Sequence, residues 1–86
     1  MKRREKMKKV IIYSQDTCSP CHAEKLWLKE NGIEFEERDI RKNDQYMFEL
    51  IGLGAAATPA TVIKDEDSEE VILGFDQSKL AEILGI

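Results

Sequence analysis

The sequence predicts a small α/β domain in which a mixed four-stranded sheet is flanked by three helices, in the order β-α-β-α-β-β-α. Three observations predict it. Val10-Ile11-Ile12-Tyr13 is a continuous, largely β-branched apolar run bounded by polar residues, the pattern of a strand buried on both faces. Two stretches with apolar residues at helical spacing follow it, each stopped by glycine. Two further short apolar runs then flank an acidic segment, as in a hairpin. With 86 residues the chain has room for one compact domain and a single active site.

Each element has its own signals. Ser14 to Thr17 form a polar turn, and the segment from Cys18 to Asn31 carries Leu26, Trp27 and Leu28 among Glu and Lys before the stop signal Asn31-Gly32. Thr17 or Cys18 caps this first helix, and Pro20 is tolerated in its first turn, where a backbone N–H has no intrahelical partner. Ile33 to Ile40 is strand-like but heavily charged, which suits an edge position beside the first strand. From about Asn43 to Leu53, Tyr46, Met47, Leu50 and Ile51 recur at helical spacing until Gly52 and Gly54 end the run. Ala60-Thr61-Val62-Ile63 and Val71-Ile72-Leu73 enclose the acidic stretch from Lys64 to Glu70, a length suited to an antiparallel hairpin. Asp76 then N-caps a last helix bearing Leu80, Ile83 and Leu84. The first β-α-β unit is expected to be parallel and right-handed.

Charge is unevenly placed. The first nine residues hold six Lys or Arg against one Glu, leaving 7 basic and 16 acidic residues for the other 77. Residues 1–8 therefore read as a flexible basic lead, with Met7 an alternative start, and residues 9–86 as the domain. The acidic body argues against nucleic-acid binding, which needs a basic face to neutralise phosphates. The apolar run behind the lead is too short for a signal-peptide core or a membrane span, so a cytoplasmic protein without membrane association is expected.

Two cysteines three positions apart close too small a loop to staple a fold, so their role is chemical. Cys18-Ser19-Pro20-Cys21 directly follows a buried strand and opens a helix, where the partial positive charge and free N–H groups of the helix N-terminus stabilise a thiolate. Cys18 is the expected attacking thiol. Cys21, one turn deeper, is the expected resolving thiol, which opens the mixed disulfide formed on Cys18. Thr58-Pro59 lies just before the third strand; a cis bond there would bend the backbone and offer the Thr58 N–H and C=O to a substrate, while the alternative is a Pro that simply starts a strand.

Tyr13-Ser14-Gln15-Asp16-Thr17-Cys18-Ser19-Pro20-Cys21, then Thr58-Pro59, then Gly74-Phe75-Asp76, resembles the glutaredoxin family over nearly the whole chain after Met7. The resemblance implies a thioredoxin-like fold, a cis Pro59 beside the dithiol, and a substrate groove between Cys18, Gln15, Thr58-Pro59 and the Gly74-Phe75-Asp76 turn. It also implies a dithiol oxidoreductase, monomeric and without a tightly bound cofactor, acting on protein or small-molecule disulfides. Its reductant is either glutathione or a thioredoxin-reductase-type flavoenzyme. Glutathione-using members carry Lys or Arg three residues before the first Cys and Pro-Tyr between the cysteines, whereas this chain has Gln15 and Ser19-Pro20. Gly74-Phe75 is similar to the Gly-Phe of NrdH redoxins, which are served by thioredoxin reductase, although Ile72-Leu73 replaces their Trp-Ser. A still nearer resemblance is to the small YruB-type glutaredoxin-like proteins.

Rival chemistries fit less of the sequence. Cys18-x-x-Cys21-His22 matches a c-type haem attachment signature, but that requires export. A structural zinc site wants four ligands, and the chain has no Cys or His beyond Cys18, Cys21 and His22. An iron–sulfur cluster bridged between two subunits is the remaining binding function that the resemblance allows.

Overall fold

The structure is a computed structural model that describes residues 8–86. The expected basic lead and the alternative start at Met7 lie outside the described residues apart from Lys8, whose Nζ donates to the Ile83 carbonyl oxygen at 2.6 Å. The elements are β1 (Lys9–Ser14), α1 (Ser19–Glu30), β2 (Glu36–Asp39), α2 (Asp44–Gly52), β3 (Ala60–Lys64), β4 (Glu69–Leu73) and α3 (Gln77–Leu84). They follow the expected order. The sheet runs β2-β1-β3-β4, with β1 parallel to β2 and antiparallel to β3, and β3 antiparallel to β4.

Alternation along β1 divides the core in two. Ile11 and Tyr13 join Ile40, Leu50, Ala55, Ala60 and Val62 under α2, whereas Val10 joins Leu28, Ile63, Ile72 and Leu80 under α1 and α3. Helices thus cover both faces, which is why β1 is apolar from Val10 to Tyr13. Leu28 and Leu80 are fully buried, each worth about 1.5–3 kcal/mol of transfer free energy.

Two elements differ from expectation. Strand β2 is only four residues long, Glu36–Asp39. Ile33 and Phe35 precede it and pack against the cluster beneath α1 and α3, so the apolar half of that segment serves packing rather than pairing. On α2, Tyr46 and Leu50 form the covered row, while Met47, Phe48 and Ile51 are exposed. A nine-residue helix on so narrow a sheet buries one i, i+4 row, and the adjacent row turns outward.

Helix ends are settled by local chemistry. Cys18, not Thr17, is the N-cap of α1. Asn43 caps α2 by accepting from the Gln45 N–H, and Asp76 caps α3 by accepting from the Lys79 N–H at 3.0 Å.

Candidate active site

The site forms where the C-terminal end of β1 meets the start of α1. The Cys18 N–H donates to the Gln15 carbonyl at 3.1 Å, closing the turn that delivers Cys18 to the N-cap position. Ser19 and Pro20 occupy the first helical positions, where proline costs no hydrogen bond. Cys18 and Cys21 are joined as a disulfide with their Cα atoms 5.2 Å apart. The Cys21 N–H points at the Cys18 sulfur at 3.1 Å, and no acidic side chain stands in the first turn of α1. The local field therefore favours negative charge on Cys18. Exposure separates the pair, because Cys18 retains 9% of its surface and Cys21 none.

The peptide bond Thr58-Pro59 is cis, as the resemblance implied. Two hydrogen bonds tie this loop to its surroundings. Gln15 Nε2 donates to Thr58 Oγ1 at 3.1 Å, and the Gly74 N–H donates to the Pro59 carbonyl at 2.9 Å. Gly74 can do so because it turns with φ 79°, a conformation that side chains disfavour. Thr58 precedes Ala60, the first paired residue of β3, so its backbone lies beyond the ladder.

The remaining expected residues sit nearby with roles of their own. Phe75 packs edge-on against Trp27, with ring centroids 6.1 Å apart, so that Trp27 helps to cover the α1–α3 face. Asp76 engages Oδ1 in capping α3. The His22 Nε2–H donates to the Asp16 carbonyl at 2.9 Å, bracing the turn before Cys18. Among the described residues, no three His, Cys, Asp or Glu side chains are grouped to hold a metal ion, and no helix is long and apolar enough to cross a membrane.

One residue absent from the sequence-based site is Glu24. It is fully buried on α1, one turn beyond Cys21, with Oε2 accepting from the Thr61 hydroxyl and Oε1 without a hydrogen-bond partner among the described residues. Burial pushes its carboxyl up to about 7, while the Thr61 hydroxyl bond pulls the other way. The available signal was its spacing: positions 21, 24 and 28 form one stripe of α1, and a glutamate occupies the middle of it.

The glutaredoxin family profile matches residues 10–67. The glutaredoxin-like protein NrdH of Lactococcus lactis subsp. lactis is 32% identical over 74 residues, spanning 86% of this chain and 97% of that protein. A crystal structure of a mutant of the thioredoxin-like protein BC3987 superposes with a TM-score of 0.81 at 36% identity, covering 93% of this chain and 99% of the other. The NrdH-redoxin of Escherichia coli shares the fold, with a TM-score of 0.71 at 23% identity over 87% of this chain and 93% of its own.

Proposed function

The chain belongs to the glutaredoxin family, as an NrdH-like redoxin with a C-x-x-C disulfide, and from that membership we propose that it is a dithiol thiol-disulfide oxidoreductase with Cys18 as nucleophile. The observation that carries the reading is the pairing of an N-cap sulfur that receives a backbone N–H with a second sulfur sealed beneath it. In the reduced protein the Cys18 thiolate attacks one sulfur of a substrate disulfide, and the other sulfur leaves as a thiolate. Cys21 then attacks the Cys18 sulfur of the mixed disulfide, the second substrate thiolate leaves, and the Cys18–Cys21 disulfide is formed. Two electrons have passed from the dithiol to the substrate. The Thr58 backbone, which precedes the β3 ladder and whose side chain Gln15 ties to the turn before Cys18, suits an extended substrate backbone.

The substrates are disulfides of proteins or small molecules, and an external thiol or reductase must restore the dithiol. Gln15 lacks the charge that would hold a glutathione carboxylate, and its amide is engaged by Thr58. Together with the likeness to an NrdH protein, this favours a thioredoxin-reductase-type flavoenzyme over glutathione as reductant. A monomer acting in the cytoplasm completes the reading.

The test is a pair of substitutions. Cys18→Ser should abolish turnover of a small disulfide, whereas Cys21→Ser should stop after one thiol is released and retain a covalent adduct detectable by mass. Full dithiol-dependent reductase activity in the Cys18→Ser protein would overturn the assignment.

A further inference from the structure

We propose that the Glu24 carboxylate holds and moves the proton of the Cys21 thiol, taking it as Cys21 attacks the mixed disulfide and returning it when the dithiol is regenerated. The inference rests on the oxidoreductase reading and deepens it. Glu24 acts through Cys21 and is a positioning residue for its proton.

Geometry supplies the case. Cys21 and Glu24 stand at i and i+3 on α1 and both are fully buried, so they share the face that packs on the sheet. Side chains at that spacing have Cβ atoms about 5–6 Å apart, a gap within the reach of a glutamate. One carboxyl oxygen is fixed by the Thr61 hydroxyl, two residues beyond Pro59, and the other has no hydrogen-bond partner among the described residues. An orphaned buried carboxyl oxygen is a net structural cost, and such atoms are rare unless the group has work to do. Among the described residues no cation balances it. Glu37 and Asp39 of β2 share the α1-facing side of the sheet by register, but Glu37 is bound by Lys25 at 2.6 Å and Asp39 Oδ1 accepts from the Arg41 N–H. The side chains that β1, β3, β4 and α3 bring to the core on that side, Val10, Ile12, Ser14, Ile63, Ile72 and Leu80, are uncharged, as is Thr61. Cys21 is therefore the titratable group one turn away on the same buried stripe.

The step balances. The Cys21 S–H proton passes to Glu24, the Cys21 sulfur bonds to the Cys18 sulfur, and the bond from Cys18 to the substrate sulfur breaks with the electron pair leaving on the substrate thiolate. The proton then departs from Glu24 to solvent or to that thiolate. With its carboxyl raised to about 7 by burial, Glu24 can both accept and release a proton near neutrality.

The experiment mixes reduced protein with a small symmetric aromatic disulfide and follows both coloured thiolates by stopped flow between pH 5 and 9. The first release reports attack by Cys18 and the second reports resolution by Cys21. Glu24→Gln should leave the first release unchanged, slow the second on the order of 100-fold at pH 7, and erase its inflection near neutrality. A second release in Glu24→Gln with the wild-type rate and pH profile would overturn the proposal. Should that variant not fold, carbon-13 titration of the wild-type Glu24 carboxyl decides: its midpoint should differ between the disulfide and dithiol forms, and equal midpoints would overturn the proposal. Loss of the first release in the wild-type protein would instead remove the oxidoreductase reading and the inference with it.

Discussion

Cys21, Glu24 and Leu28 occupy one stripe of α1, and only the glutamate in the middle sets pH against stability. Its carboxyl is raised from 4.5 to about 7 in the folded protein. Below pH 4.5 it is protonated both folded and unfolded and has no effect. Between 4.5 and 7 the unfolded chain releases the proton first, so stability falls as pH rises and levels off above about 7, for a loss of about 3 kcal/mol. Denaturant unfolding of the oxidised protein at pH 5 and pH 8 should therefore show a drop in wild type that Glu24→Gln lacks; equal drops would mean that Glu24 ionises normally. In the sequence only the spacing of Cys21, Glu24 and Leu28 hinted at this, because a helical glutamate next to lysine reads as solvent-facing until the packing of the helix is known. Gln15 was legible in identity but not in contact. Its amide bond to Thr58 couples the turn before Cys18 to the cis-proline loop. Gln15→Lys should raise glutathione-coupled turnover by about two- to fivefold, the worth of one exposed ion pair, and an unchanged rate would show that the carboxylate binds elsewhere.

Among the elements, β2 is held less by apolar burial than by its charges. Arg38 Nε pairs with Glu36 at 2.7 Å, and Arg38 Nη1 reaches Glu49 of α2 at 2.7 Å and the Tyr13 hydroxyl at 3.0 Å. The Tyr13 hydroxyl in turn donates to Glu49 at 2.9 Å, and the guanidinium lies 5.7 Å from the ring centres of both Tyr13 and Tyr46. This network clips α2 to the edge of the sheet, on the face opposite α1. Arg38→Ala should cost about 1–2 kcal/mol in urea unfolding without changing the rate of disulfide exchange. Leu28→Ala, which empties a fully buried site between α1 and the sheet, should cost about 2–5 kcal/mol. The expected element order was readable because β1 is apolar on both faces, the first and last helices carry N-cap residues, and the first two end at asparagine or glycine. The length of β2 was not readable. Ile33 and Phe35 have strand-like character locally, and only the position of α1 and α3 turns them into core. Likewise, the periodicity of α2 could not tell which of its two apolar rows meets the sheet.

At the scale of the whole molecule, the two-sided sheet brings three distant segments to one end: the turn ending in Cys18, the cis Thr58-Pro59 bond, and Gly74-Phe75-Asp76. The dithiol was visible in the sequence from its place between a buried strand and a helix, but the hydrogen bonds that join these segments depend on tertiary register. The pH response is likewise a property of the whole. Glu36, Glu37 and Glu49 are held below the usual carboxylate range, by the hydrogen bonds from Arg38, Lys25 and Tyr13 respectively, so they add stability above the ordinary carboxylate range that is lost as pH falls through their lowered values. Glu24 opposes them from 4.5 to about 7, so the oxidised protein should be most stable on the acid side of neutrality. The most direct measurement is the rate of iodoacetamide alkylation of each cysteine in the reduced protein from pH 4 to 10, with the modified sites read by peptide mass. Cys18 should react with a midpoint well below the roughly 8.5 of a free thiol while Cys21 stays protected. Slow and equal modification of both cysteines at neutral pH would contradict the account.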